Sequence, residues 1–311
     1  MAELMEVVCR IVIAFWPVIL FAGICLPASA QAGSVQDTTT PAELVRDTVA
    51  REVAAANDSS AKYMFRACKK TPQGSQTRLY VETKDAMVGM TIAYNDKPIS
   101  PQQLQGEEGR LAGLASNPDQ LRHKQHQEKE EAEHTLRIVK ALPDAFLYNY
   151  DGSEPGTSNL GREGRPLVRL KFRPNPSYHP PSHVEDVLVG MAGFLLIDPE
   201  ARRIARIDGT LFKDVTFGWG ILGHLDRGGH FLVQQQDVGD GSWEISSMRL
   251  ELTGKLFLFK SIAMKSEEVF SNFRRVPEGT TFAEGVKMLK EQRATLAQGS
   301  AGTAATENRS H

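Results

Sequence analysis

The sequence predicts a mainly β protein of the α+β kind, a curved antiparallel sheet with a few covering helices. Three observations carry that expectation. Residues 187–264 are a succession of short runs rich in Val, Ile, Leu and Phe, cut by Asp198-Pro199, Asp208-Gly209, Gly228-Gly229, Asp240-Gly241 and Thr253-Gly254. Apolar runs bounded by such dipeptides read as consecutive antiparallel strands. A second group of strand candidates, residues 62–70, 76–84 and 86–94, precedes them. Only three stretches carry helical spacing.

The 311 residues are 41% hydrophobic and 24% charged, enough apolar content for one large β-rich domain. A formal net charge of -2 argues against nucleic acid as a partner, because phosphate binding needs a basic footprint.

At the N-terminus residues 11–26 (IVIAFWPVILFAGICL) are continuously apolar and are followed by Ala28-Ser29-Ala30. That pattern predicts a signal peptide over 1–30, cleaved after Ala30, and a periplasmic or secreted mature chain. The amino-terminal region is atypical, with Glu3 and Glu6 against Arg10; Met5 is a second candidate start, and an uncleaved anchor is the alternative reading. Ile24 before Cys25 argues against lipidation. Of the three cysteines only Cys68 remains after cleavage, so no intrachain disulfide is expected.

Residues 31–40 read as a disordered lead. Thr40 as cap and Pro41 in the first turn open a helix over 41–56, with Leu44, Val45, Thr48, Val49 and Val53 on one face. In the first strand Tyr63, Phe65 and Ala67 alternate with Met64, Arg66 and Cys68; Lys69 and Lys70 stand beside the thiol, whose expected role is structural. Asn117-Pro118 starts a helical excursion over 117–142, polar in its middle and apolar at Leu136, Val139 and Leu142. A strand at 146–150, a Gly/Ser/Pro loop over 151–166 and a strand at 167–172 follow. The Pro-rich stretch from Arg173 to His183 is expected to be an extended strap. Its His179 and His183 are weak metal candidates, because Pro180 and Pro181 prevent the helical turn that would bring both to one ion. His123 and His126 read as solvent-facing.

Leu250, Leu252, Leu256 and Leu258 are expected in the core. The run from Phe217 to Leu225 (FGWGILGHL) mixes glycine with large apolar residues, which suggests a bend with an apolar rim. Phe217, Trp219, Ile221 and Leu222 are therefore the candidate ligand-binding residues. A last strand at 266–276 leads into a helix at 281–293 with Phe282, Val286 and Leu289 inward, and 294–311 reads as a disordered tail. The expected organisation is one domain over 41–293.

Motifs for chemistry are missing from the sequence: no Gly-x-Ser-x-Gly, His-Glu-x-x-His, phosphate loop, dinucleotide fingerprint or Cys-x-x-Cys occurs. No cofactor is expected, and no enzyme class is indicated.

The run Gly193-Phe194-Leu195-Leu196-Ile197-Asp198-Pro199-Glu200, with Arg203-Ile204 and Gly209-Thr210-Leu211, resembles the strand-turn-strand of outer-membrane lipoprotein-sorting proteins. This is the LolA/LolB-like superfamily, which includes the amino-terminal domain of RseB-type sensors. The residues 217–225, Gly228-Gly229 and Asn272 to Pro277 look more closely like a group of secreted bacterial proteins of unassigned function. The resemblance implies an unclosed β-barrel with helices over its mouth and an apolar cavity for acyl chains. The polar helix and the Pro-rich strap depart from the compact carriers. The resulting expectation is a non-catalytic envelope protein whose partner is a lipid, acyl chain or lipoprotein. A sensor or scaffold binding another envelope protein is the alternative, and an enzyme of unknown class comes third.

Overall fold

The computed structural model describes residues 39–58, 60–217, 223–256 and 260–307. The expected signal peptide, all of the lead before Thr39, and Trp219, Ile221, Leu222 and Leu258 lie outside the described residues.

Thirteen strands are present among the described residues. The first four are β1 (Tyr63–Thr71), β2 (Gly74–Val81), β3 (Val88–Tyr94) and β4 (Lys97–Pro98). The middle four are β5 (Phe146–Pro155), β6 (Pro166–Pro174), β7 (Met191–Asp198) and β8 (Arg203–Leu211). Then come β9 (Val215–Phe217), β10 (Gly223–Leu225), β11 (His230–Gly239), β12 (Ser242–Leu256) and β13 (Lys260–Arg275). They follow one path, β4-β3-β2-β1-β13-β12-β11-β8-β7-β6-β5, with β9 and β10 as a side hairpin on β12. The end strands β4 and β5 are not paired with each other, so the sheet is not closed into a barrel. The mainly β, antiparallel fold with covering helices is the one the sequence predicts.

Local chemistry explains most turns. Asp240 and Gly241 both have positive φ, 55° and 74°, as a two-residue hairpin requires. Asn95 and Asp96, at 49° and 60°, turn β3 into β4 in the same way. Two expected turns are corrected: Asp208-Gly209 lies inside β8 and Thr253-Gly254 inside β12. Those glycines mark close backbone approach instead. Gly209 faces Gly193 across the ladder, and a Cβ on Gly193 would sit 1.9 Å from the Asp208 carbonyl oxygen. A Cβ on Gly254 would sit 2.2 Å from the carbonyl oxygen of His224 in β10.

The chain packs as two compact units, a division the sequence reading does not draw. One unit takes Glu130–Lys265 with the N-terminal helix, and the other takes Ser60–Lys129 and everything from Ser266 on.

In the first unit, helix α1 (Pro41–Ala56) begins as expected: the Glu43 N–H donates to the Thr40 hydroxyl at 3.3 Å, and the Thr40 N–H donates to Glu43 at 2.8 Å. Its Leu44, Val45 and Val49 join Leu170 and Phe172 of β6, Leu195 and Ile197 of β7, and Ile204 and Ile207 of β8 in one core. Each such fully buried side chain contributes roughly 1.5–3 kcal/mol. Glu52 anchors the helix to β8 from within this apolar setting. It accepts from the Ile204 N–H at 2.7 Å and from Arg203 Nε at 3.0 Å, and the Trp243 ring lies 5.5 Å from the Arg203 guanidinium. Val139, Leu142 and Ala145, at the end of a long helix, cover the same core.

The stretch from residue 99 onward holds two helices, not one. Helix α2 (Pro101–Ser116) is capped by Ser100, and helix α3 (Pro118–Ala145) runs through Pro143 to the start of β5. In the second unit α2 and helix α4 (Phe282–Glu307) cover one sheet face. Leu111 and the expected inward trio Phe282, Val286 and Leu289 pack on Met64, Leu79, Val81, Val88 and Met90. On the opposite face Phe65 stacks on Tyr80 at 5.3 Å and meets Phe270 and Phe273. Helix α4 continues past Arg293 to Glu307, where the sequence reading placed a disordered tail. That extension has no proline and is rich in alanine, the strongest helix former.

Candidate ligand pocket

Strand β6 ends at Pro174, which is still paired opposite Phe146 but offers no N–H to extend the ladder. Asn175 makes the turn. Its N–H donates to the Ala145 carbonyl and its side-chain amide to the Asp144 carbonyl, both at 2.9 Å. Its own side-chain oxygen accepts from the Ser177 N–H at 3.1 Å, and its carbonyl accepts from the Tyr178 N–H at 3.0 Å. The strap is therefore curled, not extended as expected: an Asx turn wins over the polyproline preference.

Farther along, Ser182 donates to the buried Glu185 carboxylate, which also lies 4.0 Å from Arg137 Nε. A short 3-10 helix, Asp186–Gly190, then buries Leu188 in the core and leads into β7. Gly190 has to be glycine in this packing, because a Cβ would lie 2.3 Å from Val215 Cγ2, and its carbonyl accepts the Phe212 N–H at 3.0 Å.

These fixings bring three pieces of chain around a hollow of about 550 Å³, open to solvent on one side. Arg173, Pro174, Asn175, Pro176 and Tyr178 come from the strap, Val189 and Ala192 from the entry into β7, and Phe212 and Lys213 from the end of β8. The lining is mostly apolar and offers no carboxylate, imidazole or thiol. Phe212 is 47% exposed, unusual for so large an apolar side chain, and Lys213 Nζ lies 5.8 Å from its ring centre. Tyr178 packs on the core beneath, with its hydroxyl buried and bonded to no group among the described residues. Burial, then the nearby carboxylates of Glu185, Asp144 and Asp186, push its pKa up, so it stays a neutral phenol.

Of the sequence-predicted ligand-binding residues, only Phe217 lies among the described residues, and it does not line this hollow. Phe217 is buried at the end of β9, paired opposite Gly223 of β10. Trp219, Ile221 and Leu222 fall outside the described residues. His179 is exposed, while His183 Nδ1 lies 3.0 Å from Asp186. No group of three His, Cys, Asp or Glu side chains that could hold a metal exists among the described residues. Cys68 is a free, half-buried thiol opposite Thr77. The pocket lining was missed because its parts are about 40 residues apart at the extremes; the one legible signal was the run Phe212-Lys213 standing immediately after a strand.

No family model and no curated protein matches the chain. Among solved structures, it is similar to a domain assigned to outer membrane lipoprotein sorting from Vibrio parahaemolyticus, at 15% identity and a TM-score of 0.30. That likeness covers 80% of this chain and 97% of the other. It is also similar to a DUF1329 family protein from Desulfovibrio piger, at 11% identity and a TM-score of 0.26, covering 81% and 100% of the two chains. Both relationships are remote. No described helix is long and apolar enough to cross a membrane.

Proposed function

We propose that this protein is an exported, non-catalytic binder of a lipid, acyl chain or lipoprotein in the cell envelope. The observation that carries the reading is the open, apolar-lined hollow of about 550 Å³ beside the exposed Phe212. Its size lies within the roughly 300–1,000 Å³ of typical small-ligand sites. Its proline, valine, alanine and phenylalanine walls supply the surface an acyl chain buries, at about 0.8 kcal/mol per methylene. A lining without carboxylate, imidazole or thiol favours binding over catalysis. Export rests on the apolar run 11–26 followed by Ala28-Ser29-Ala30.

Mass spectrometry of the full chain produced with its leader in a bacterial envelope tests both parts. The expected result is a mature terminus at Gln31 and acyl lipid extracted in stoichiometric amount. An intact leader would overturn the export claim, and a lipid-free protein that takes up no fatty acid on addition would overturn the binding claim.

A further inference from the structure

We infer that the hollow selects single-chain amphiphiles with an anionic head, Arg173 and Lys213 holding the head at the mouth while the chain lies along Pro176, Val189, Ala192 and Phe212. The inference rests on the proposed lipid-binding reading and adds the chemistry of the ligand's polar end.

Charge is what carries it. Both cations line the hollow, both are exposed, and neither is ion-paired among the described residues. The lining offers them no carboxylate to pair with, whereas other cations of this unit are committed to ion pairs. Arg162 is paired with Asp198 and Glu200, Arg169 with Asp151 and Glu154, and Arg203 with Glu52. The nearest acidic neighbour of Lys213 in sequence, Asp214, accepts the Arg227 N–H at 2.7 Å. Along β6, Arg173 projects to the same side as Lys171, away from Leu170 and Phe172 in the core. On the neighbouring strand Ala192 lies on that same side as Phe194, the register partner of Lys171. A cation and a small apolar surface are thus side by side, the combination an amphiphile needs at its head and first methylenes. Long aliphatic stems let both cations lie along the apolar wall with their charges at the water boundary. Glu185, Asp144 and Asp186 are absent from the lining, and Glu185 and Asp186 already face Arg137 and His183, so no lining carboxylate competes with an anionic head for Arg173 and Lys213.

Carboxylate and phosphate heads share the oxyanion chemistry that two cations recognise. Isothermal titration calorimetry with decanoate, decyl phosphate and the neutral monodecanoylglycerol separates the possibilities. The wild-type protein should bind both anions at least about ten-fold more tightly than the neutral chain, and salt should erode that preference. The double variant Arg173→Gln, Lys213→Gln should bring anionic and neutral chains to similar affinity; both positions are exposed, so the melt should stay near wild type. Equal wild-type affinity for anionic and neutral chains would overturn the head-group inference and leave the lipid reading intact. A preference that survives the double variant would overturn the assignment to these two residues. If no chain binds, the reading beneath it falls as well.

Discussion

Asp198 is fully buried at the end of β7, and its carboxylate accepts from Arg162 at 2.6 and 2.7 Å and from the N–H groups of Glu200 and Ala201 at 3.0 and 2.8 Å. Burial opposes the charge, but the Arg162 and backbone donors outweigh it and hold the pKa below the ordinary carboxylate value. A depressed folded value makes the charged form part of the fold's stability. That contribution is complete above the unfolded value of about 3.9 and fades as the pH falls through the lower folded value. Asp198→Ala should therefore lower the unfolding free energy by about 2–3 kcal/mol near neutral pH. The gap to wild type should narrow in urea melts at about pH 3. A gap independent of pH would mean that the loss comes from the turn at Pro199 alone. The Asp-Pro turn was visible in the sequence; the pairing with Arg162 was not, because that arginine sits in a loop 36 residues earlier.

At the scale of elements, periodicity and turn chemistry located most strands and the inward faces of α1 and α4. They failed where glycine had two meanings. Gly241 is a turn residue with positive φ, whereas Gly193, Gly209 and Gly254 are strand residues that let another backbone or side chain come close. A dipeptide alone cannot separate these uses, because the partner strand that makes the close approach is distant in sequence. The strap failed similarly: its prolines read as extended, and the hydrogen bonds of Asn175 to the end of α3 decide otherwise. Gly193→Val tests the strand reading. With a Cβ 1.9 Å from the Asp208 carbonyl, β7 and β8 must separate locally, so the melt should show a loss of more than about 2 kcal/mol. A valine variant as stable as wild type would show that the ladder at this position is loose.

At the scale of the molecule, the open antiparallel sheet and its helical cover were legible, since β-rich patterning and short turns admit few other solutions. The two compact units were not. One is assembled from stretches on either side of the other, and no linker composition marks where the chain passes between them. The pocket was hidden for the same reason: strap, strand entry and strand end meet only when the sheet is formed. The sequence placed the ligand at Phe217, Trp219, Ile221 and Leu222, the last three of which lie outside the described residues. The hollow among the described residues is lined by Phe212 and Ala192.

Filling that hollow from Ala192 tests the central claim most directly, because the residue is small, only partly buried and lines the pocket. A fluorescent long-chain fatty acid is titrated into wild type and Ala192→Trp, with thermal melts of both. The predicted result is saturable binding to wild type and affinity lower by about ten-fold or more in the variant, with little change in melting temperature. A tryptophan variant that melts like wild type and binds equally well would contradict the account and move the ligand to another part of the protein.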